Sequence, residues 1–219
     1  MLFANRREAG RVLAQRLDGY AGRANLIVLG LPRGGIPVAY EVAQRLGAPL
    51  DAFLVRKLGV PGHEELAMGA IARDALVLNS EVVDGLGIDA SEIERVVEHE
   101  RRELDRREAA YRGGRPAPTL RGQIVIVVDD GMATGASMRA AVQALRALGA
   151  AHIVVAVPVG AAASCAELAT EADDVDCART PEPFLDVGMW YGDFEPISDE
   201  EVCALLARAA NPTRENAGA

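Results

Sequence analysis

Aromatic residues are scarce, with four Phe, four Tyr and one Trp among 219 residues. A core of this protein must therefore be built mainly from Ala, Val, Leu and Ile. Cysteine is also rare. Cys165, Cys177 and Cys203 are odd in number and show no CxxC spacing, which argues against a disulfide scaffold and makes a reducing compartment the expectation. No apolar run reaches the length of a membrane span, and Met1–Arg7 lacks the apolar centre of a signal peptide, so a cytoplasmic protein is expected. Basic residues are outnumbered, 23 against 32 acidic, for a net charge of −9. That excludes a general role in coating nucleic acid, while a local basic pocket stays compatible with it. His63, His99 and His152 share no metal-ligand spacing. What is present is ample apolar material, 50% of the chain, which rules out wholesale disorder and suffices for a core without disulfides or metals.

The order of segments points to an α/β fold. Asn5 and Glu8 form a capping-box pair at the head of a helix carrying Val12, Leu13 and Leu17. Leu26–Gly30 is a short run of branched residues, the pattern of a strand buried on both faces. A loop, Pro32–Gly35, leads into a helix over Ile36–Leu46 closed by Gly47, then a strand over Ala52–Val55. Arg56–Met68 reads as a polar, Gly-containing loop, and 69–72 with 75–78 as a hairpin turned at Arg73-Asp74. Ser91–Tyr111 reads as one helix, with a Ser91/Glu94 capping box, a narrow seam of Val97, Leu104 and Tyr111, and the pairs Glu98–Arg102 and Glu103–Arg107. Such a helix is expected to be a solvated one lying across the domain or against a partner. Strand, helix, strand, helix, strand follow at 123–128, 137–148, 152–157, 161–172 and 175–178, which implies a mostly parallel sheet with helices on both faces. The expected organisation is a single domain over 1–210. Its core would be 26–80 and 119–178, with a helical insertion at 84–118, a hood from 1–22 and 181–210, and a disordered end from 211 to 219.

One string carries the most chemistry: Ile124-Val125-Ile126-Val127-Val128-Asp129-Asp130-Gly131-Met132-Ala133-Thr134-Gly135-Ala136-Ser137. A buried strand ends in two acids, followed by small and hydroxyl residues and a helix start. Small residues let backbone N–H groups converge on an anion, and the helix N-terminus adds partial positive charge. Thr134 and Ser137 can donate to phosphate oxygens. Asp129 and Asp130 would repel phosphate but can accept hydrogen bonds from vicinal hydroxyls, as an acid does for ribose in dinucleotide folds. The loop therefore asks for a ligand with a phosphate at one end and a diol at the other, such as a ribose 5-phosphate.

The stretch Val127–Ser137 resembles the signature with which type I phosphoribosyltransferases bind 5-phosphoribosyl 1-diphosphate (PRPP), and the resemblance extends from about Leu26 to Val157 apart from the inserted helix. It implies a type I phosphoribosyltransferase-like α/β fold, with Asp129 and Asp130 on the ribose hydroxyls and Gly131, Met132, Ala133, Thr134, Gly135, Ala136 and Ser137 around the 5-phosphate. Leu31-Pro32-Arg33-Gly34-Gly35 is similar to the family's diphosphate loop, which makes Arg33, Gly34 and Gly35 candidate diphosphate contacts. In the family the region equivalent to Val55–Glu65 closes over the site and basic residues near it touch the diphosphate. That gives Arg56 and Lys57 a role with Arg33 in stabilising the leaving group as the anomeric bond breaks. A Mg²⁺ is implied, held chiefly by substrate oxygens, with Asp193 as one possible protein ligand.

The tail Phe184–Phe194 resembles the hood of the purine enzymes, where an aromatic stacks on the base. Trp190 and Tyr191 are the candidate stackers and Asp193 a candidate partner of an amino group. Two departures stand out. Ala133 occupies a place where 6-oxopurine enzymes carry an acid, and Val157-Pro158-Val159 lacks their lysine, so any general base would come from Asp193 or Glu64. The reading is transfer from PRPP to a nitrogen of a purine-like heterocycle, in nucleotide salvage, by a homodimer without nucleic-acid or membrane partners. A non-catalytic PRPP or nucleotide sensor, and a hydrolase or phosphotransferase on ribose phosphates, stay open as alternatives.

Overall fold

The computed structural model describes residues 2–211; the rest of the tail expected to be disordered lies outside them. Five parallel strands form the central sheet in the order β2-β1-β6-β7-β8: β1 Leu26–Gly30, β2 Leu50–Ala52, β6 Ile124–Val128, β7 His152–Val157 and β8 Asp174–Cys177. The continuous apolar runs are explained by burial on both faces. Leu26, Val28, Ile126, Val128, Val154 and Ala156 face one core, and Ile27, Leu29, Val125, Val127, Ile153 and Val155 face the other, the period of two expected of a strand. The first core is covered by α1 Arg6–Arg16, α2 Gly35–Leu46 and α7 Asp199–Ala210. The second is covered mainly by α5 Ala136–Ala147, with Leu168 from α6 Ala162–Leu168. Parallel strands placed this way bring every β-to-α loop to one edge of the sheet, where ligands of open α/β sheets bind.

Several boundaries differ from those read in the sequence. The second strand ends at Ala52 rather than Val55. Arg56–Met68, read as a loop, is instead most of an antiparallel hairpin, β3 Arg56–Val60 and β4 His63–Ala72, which continues through the expected turn into β5 Ala75–Leu78. Irregular pairing around Leu58, Gly59 and Val60 hides its period from the sequence. A short helix, α3 Ser80–Leu86, precedes the long one. That long helix, α4, runs Ala90–Arg112 and its N-cap is Asp89, so Ser91 lies inside it and makes no capping box. Nor is α4 merely solvated. Leu104 and Tyr111 are 1% and 4% exposed and join the first core, and full burial of a leucine contributes about 1.5–3 kcal/mol. Its N-terminal half brings Ile93, Val96 and Val97 onto Leu58, Met68 and Ile71 of the hairpin. The surface pairs Glu98–Arg102 and Glu103–Arg107 do form, at 3.9 and 2.8 Å.

The N-terminal cap follows its sequence pattern, since the Glu8 N–H donates to Asn5 Oδ1 at 3.0 Å. The cysteines depart from expectation. Cys165 and Cys177 form a disulfide joining α6 to β8, because pairing of β8 beside β7 sets their Cα atoms 6.6 Å apart. Cys203 is free. Among the described residues no helix is long and apolar enough to cross a membrane.

Candidate active site

Strand β6 delivers Asp129 and Asp130 to the ligand edge of the sheet. They are adjacent in sequence and linked locally, the Asp130 N–H donating to Asp129 Oδ1 at 2.9 Å. Burial pushes the Asp129 carboxyl well above the usual range, and the neighbouring Asp130 charge pushes it the same way. Burial also raises Asp130, opposed by Arg6. Arg6 stands in the first turn of α1 and its Nε lies 2.8 Å from Asp130 Oδ2, both side chains being largely enclosed. The same guanidinium donates from Nη1 to the Glu195 carbonyl at 2.9 Å and lies 3.8 Å from the Phe194 ring centre.

The loop after β1 faces this pair. Its Pro32–Arg33 peptide is cis. Gly34 has no room for a side chain, since a Cβ there would stand 2.0 Å from Asp130 Oδ2. At Gly35 a Cβ would stand 2.6 Å from the Val128 carbonyl oxygen. The two glycines thus let the loop lie directly against the end of β6. The Leu31 N–H donates to the Val128 carbonyl at 2.8 Å and holds the loop there.

Beyond the acids, the small-residue loop is anchored from below. The Met132 N–H donates to the Val159 carbonyl at 3.0 Å, the Ala161 N–H to the Met132 carbonyl at 2.8 Å, and Ser164 Oγ to the Ala133 carbonyl at 2.6 Å. Gly135, at φ +71°, turns the chain into α5 with no side-chain cap. Thr134, Ala136 and Ser137 are exposed, with the Ala136 N–H donating to Thr134 Oγ1 at 3.4 Å; a helix start of this kind, with exposed hydroxyls beside its first N–H groups, suits an anion.

A cavity of about 200 Å³ opens at this edge, and its wall includes Pro32, Val55, Arg56, Asp129 and Ser137. The structure therefore brings together the β1 loop, the acidic pair, the start of α5 and Arg56. The expected cations are not gathered in one place. Arg56 is ion-paired to Glu100 of α4 at 2.5 Å. Arg33, half exposed, lies 4.0 Å from Asp199, a separation at which an exposed pair contributes little. Lys57, next along β3, lines a different cavity of about 470 Å³ between the hairpin and α4, with Glu64 and Glu100. It is adjacent residues on a strand pointing to opposite faces that part Lys57 from Arg56.

The hood is formed by the tail folding back over the N-terminus. Tyr191 is not available as a stacking platform. It is 6% exposed, its ring stacks on Phe194 with centres 4.9 Å apart and tilts against Phe3, and its hydroxyl donates to the Asp130 carbonyl. Burial and the nearby Asp130 charge push its pKa upward. Trp190 is half-buried against the same cluster, and its Nε1–H is buried without a hydrogen-bond acceptor. Asp193 is exposed, with Oδ1 accepting from the Glu195 N–H at 3.1 Å. Among the described residues no three or more His, Cys, Asp or Glu side chains are gathered as a metal site.

A model of the phosphoribosyl transferase domain matches residues 2–189. The chain belongs to this family. In Mycobacterium tuberculosis, strains H37Rv and CDC 1551, it is similar to "Putative phosphoribosyl transferase Rv0571c" and its counterpart MT0597, each 51% identical over 209 residues. Those matches cover 95% of this chain and 47% of the relative, so the chain spans about half the length of the curated relatives it matches. Among solved structures it is similar to TT1426 from Thermus thermophilus, at 43% identity and a TM-score of 0.87, over 94% of this chain and 98% of that one.

In this phosphoribosyl transferase domain, two residues at the site had no sequence signal. Arg6 reaches Asp130 from 124 positions away. Val187 covers Gly131, where an added Cβ would stand 2.3 Å from Val187 Cγ1. Arg107 of α4 also lines the 200 Å³ cavity, although the sequence marked it only as a surface partner of Glu103.

The acids themselves generate a pH prediction. A buried carboxyl with a raised pKa binds its proton more tightly in the folded chain than in the unfolded one. Its contribution is therefore present below the ordinary carboxylate pKa and lost as pH rises through the elevated folded value. Asp129→Asn removes that loss while keeping an Oδ1 acceptor for the Asp130 N–H. The ligand-free variant should have a higher urea midpoint than the parent at pH 7.5, and the gap should close towards pH 4. An equal or lower midpoint at pH 7.5 would show that Asp129 is not held at a cost.

Proposed function

We propose that this chain is a PRPP-dependent phosphoribosyltransferase that transfers the 5-phosphoribosyl group to a ring nitrogen of a purine-like base and releases diphosphate. The observation that carries the reading is the placement of two buried acids at the end of β6, pressed against Gly34 of the β1 loop and followed by the exposed start of α5 at Gly135. Asp129 and Asp130 accept from the ribose hydroxyls, and the loop Met132–Ser137 holds the 5-phosphate through backbone N–H groups, Thr134 and Ser137. The β1 loop with Arg33, Gly34 and Gly35 receives the diphosphate, and Arg56 is within the same cavity wall to offset its charge. Lys57 would join it only after the hairpin turns, since it now lines the neighbouring cavity.

A magnesium ion would be carried chiefly by the ligand's own oxygens, with the exposed Asp193 as its candidate protein ligand. Such an ion would supply charge neutralisation for the departing diphosphate. The base is placed beneath the hood, where Val187 and Trp190 supply the apolar wall. Positioning and electrostatics account for the rate, the hood excluding water from a sugar with oxocarbenium character.

The test is diphosphate release from PRPP and magnesium across a panel of purines, pyrimidines and other heterocycles. Release that depends on a purine-like base is expected. Equal release without any base would favour hydrolysis, and binding of PRPP with no turnover on any base would favour a sensor; either result contradicts the proposal. Trp190→Ala should raise the KM for the base about tenfold, the size of one lost stacking contact, and leave PRPP affinity nearly unchanged. Equal losses for both would make Trp190 a structural residue only.

A further inference from the structure

One stripe of α4 meets the ligand edge of the sheet. Glu100, Glu103, Arg107 and Tyr111 recur three or four positions apart, the spacing of neighbours on a helix surface. Glu100 holds Arg56 at 2.5 Å. Tyr111 donates its hydroxyl to Asp199 Oδ1 at 2.6 Å, and Arg33 of the β1 loop lies 4.0 Å from the same oxygen. Arg107 is in the wall of the 200 Å³ cavity with Pro32, Arg56, Asp129 and Ser137. Burial and Asp199 push the Tyr111 hydroxyl up to about 12, and Arg107 and Arg33 both oppose that rise. The two guanidiniums therefore act on one hydroxyl, although they come from different elements. Arg56 and Arg107 reach one cavity from β3 and α4, and Arg33 follows Pro32 of its wall.

The present partner of Arg107 is easily given up. Its Nε donates to Glu103 Oε1 at 2.8 Å. Arg106 holds both oxygens of the same carboxylate, Nε donating to Oε2 at 3.0 Å and Nη2 to Oε1 at 2.9 Å. A departing Arg107 thus leaves Glu103 still paired. The Arg107 side chain is 37% exposed, so its ion pair contributes little and its guanidinium is open to a ligand. The wall selects the charge of that ligand. Two guanidiniums face a single acid, Asp129, which burial drives towards its neutral form. An apolar or cationic occupant would leave both guanidiniums unmatched, whereas phosphate oxygens match their paired N–H donors. On the reading of this site as a PRPP site, we propose that Arg107 is a diphosphate-binding residue, which exchanges Glu103 for the diphosphate of PRPP beside Arg56. The helix inserted between β5 and β6 is then a part of the active site, where its sequence suggested only a solvated face.

The experiment is titration calorimetry on the whole chain with magnesium, using PRPP, inorganic diphosphate and ribose 5-phosphate as ligands. The parent is compared with Arg107→Gln and with Arg106→Gln. Arg107→Gln should raise the Kd for PRPP and for diphosphate about tenfold or more, the size of one lost charge-assisted hydrogen bond. Ribose 5-phosphate lacks the diphosphate and should lose much less. Arg106 is 64% exposed and shares Glu103 without lining the cavity, so Arg106→Gln removes only an exposed ion pair and should cost little for any of the three ligands. A loss in Arg106→Gln as large as in Arg107→Gln would show that Arg107 acts only through Glu103 and the helix. An equal loss for ribose 5-phosphate would show that the substitution disturbs the site as a whole. Either result overturns the assignment, as does an unchanged Kd for PRPP in Arg107→Gln when the parent binds it. A parent that binds none of the three ligands overturns the PRPP reading itself, and this inference with it, so the two failures are told apart.

Discussion

Two carboxylates left side by side at the end of a buried strand are the constraint around which the rest of this structure is arranged. Neither can be taken out of water cheaply, and their mutual repulsion adds to the cost. One arginine, Arg6, is the ion-pair partner that α1 brings to Asp130. It is fixed in turn by the Glu195 carbonyl and the Phe194 ring, while Tyr191 donates its hydroxyl to the Asp130 backbone carbonyl. The first helix and the C-terminal hood therefore meet at the acids. A fold selected only for stability would replace such a pair with apolar residues; its retention is of the kind paid for by function.

The charge of the chain gains a sharper meaning from the same geometry. A net of −9 is an unfavourable field for PRPP, and the local cations do not stand waiting for it. Arg56 is held by Glu100 and Arg33 lies near Asp199, so on the proposed reading each must exchange a carboxylate of the protein for an oxygen of the ligand. The backbone at the start of α5 needs little such exchange, because Gly135 has no capping side chain and the one side-chain contact there is a long one, the Ala136 N–H donating to Thr134 Oγ1 at 3.4 Å. Binding would then begin at the phosphate end and proceed by replacing ion pairs, with Asp130 trading Arg6 for a ribose hydroxyl.

The parts legible in the sequence are those written in contiguous residues. Buried strands such as Val125–Val128 announce themselves because both faces are covered, and the loop after β6 carries its chemistry in neighbouring positions. Contacts that span the chain are silent: nothing near Arg6 points to Asp130, and nothing near Val187 points to Gly131. The β3–β4 hairpin was hidden by Gly59, Pro61, Gly62 and an irregular register, which destroy the alternation by which a strand is recognised. The Tyr191 stacking role failed for a related reason: a row of aromatics shows that a hood exists but not which rings its own packing consumes. The Cys165–Cys177 bond likewise depends on where β8 pairs, a matter of topology rather than spacing.

The central claim is that Asp129 and Asp130 are kept buried at a cost in order to hold a ribose diol. The most direct measurement is calorimetric titration of PRPP with magnesium into the parent and into Asp129→Asn/Asp130→Asn, with circular dichroism showing that the double variant is folded. The account predicts that PRPP binding is lost, by at least a hundredfold in Kd, on an intact fold. An unchanged dissociation constant would contradict it.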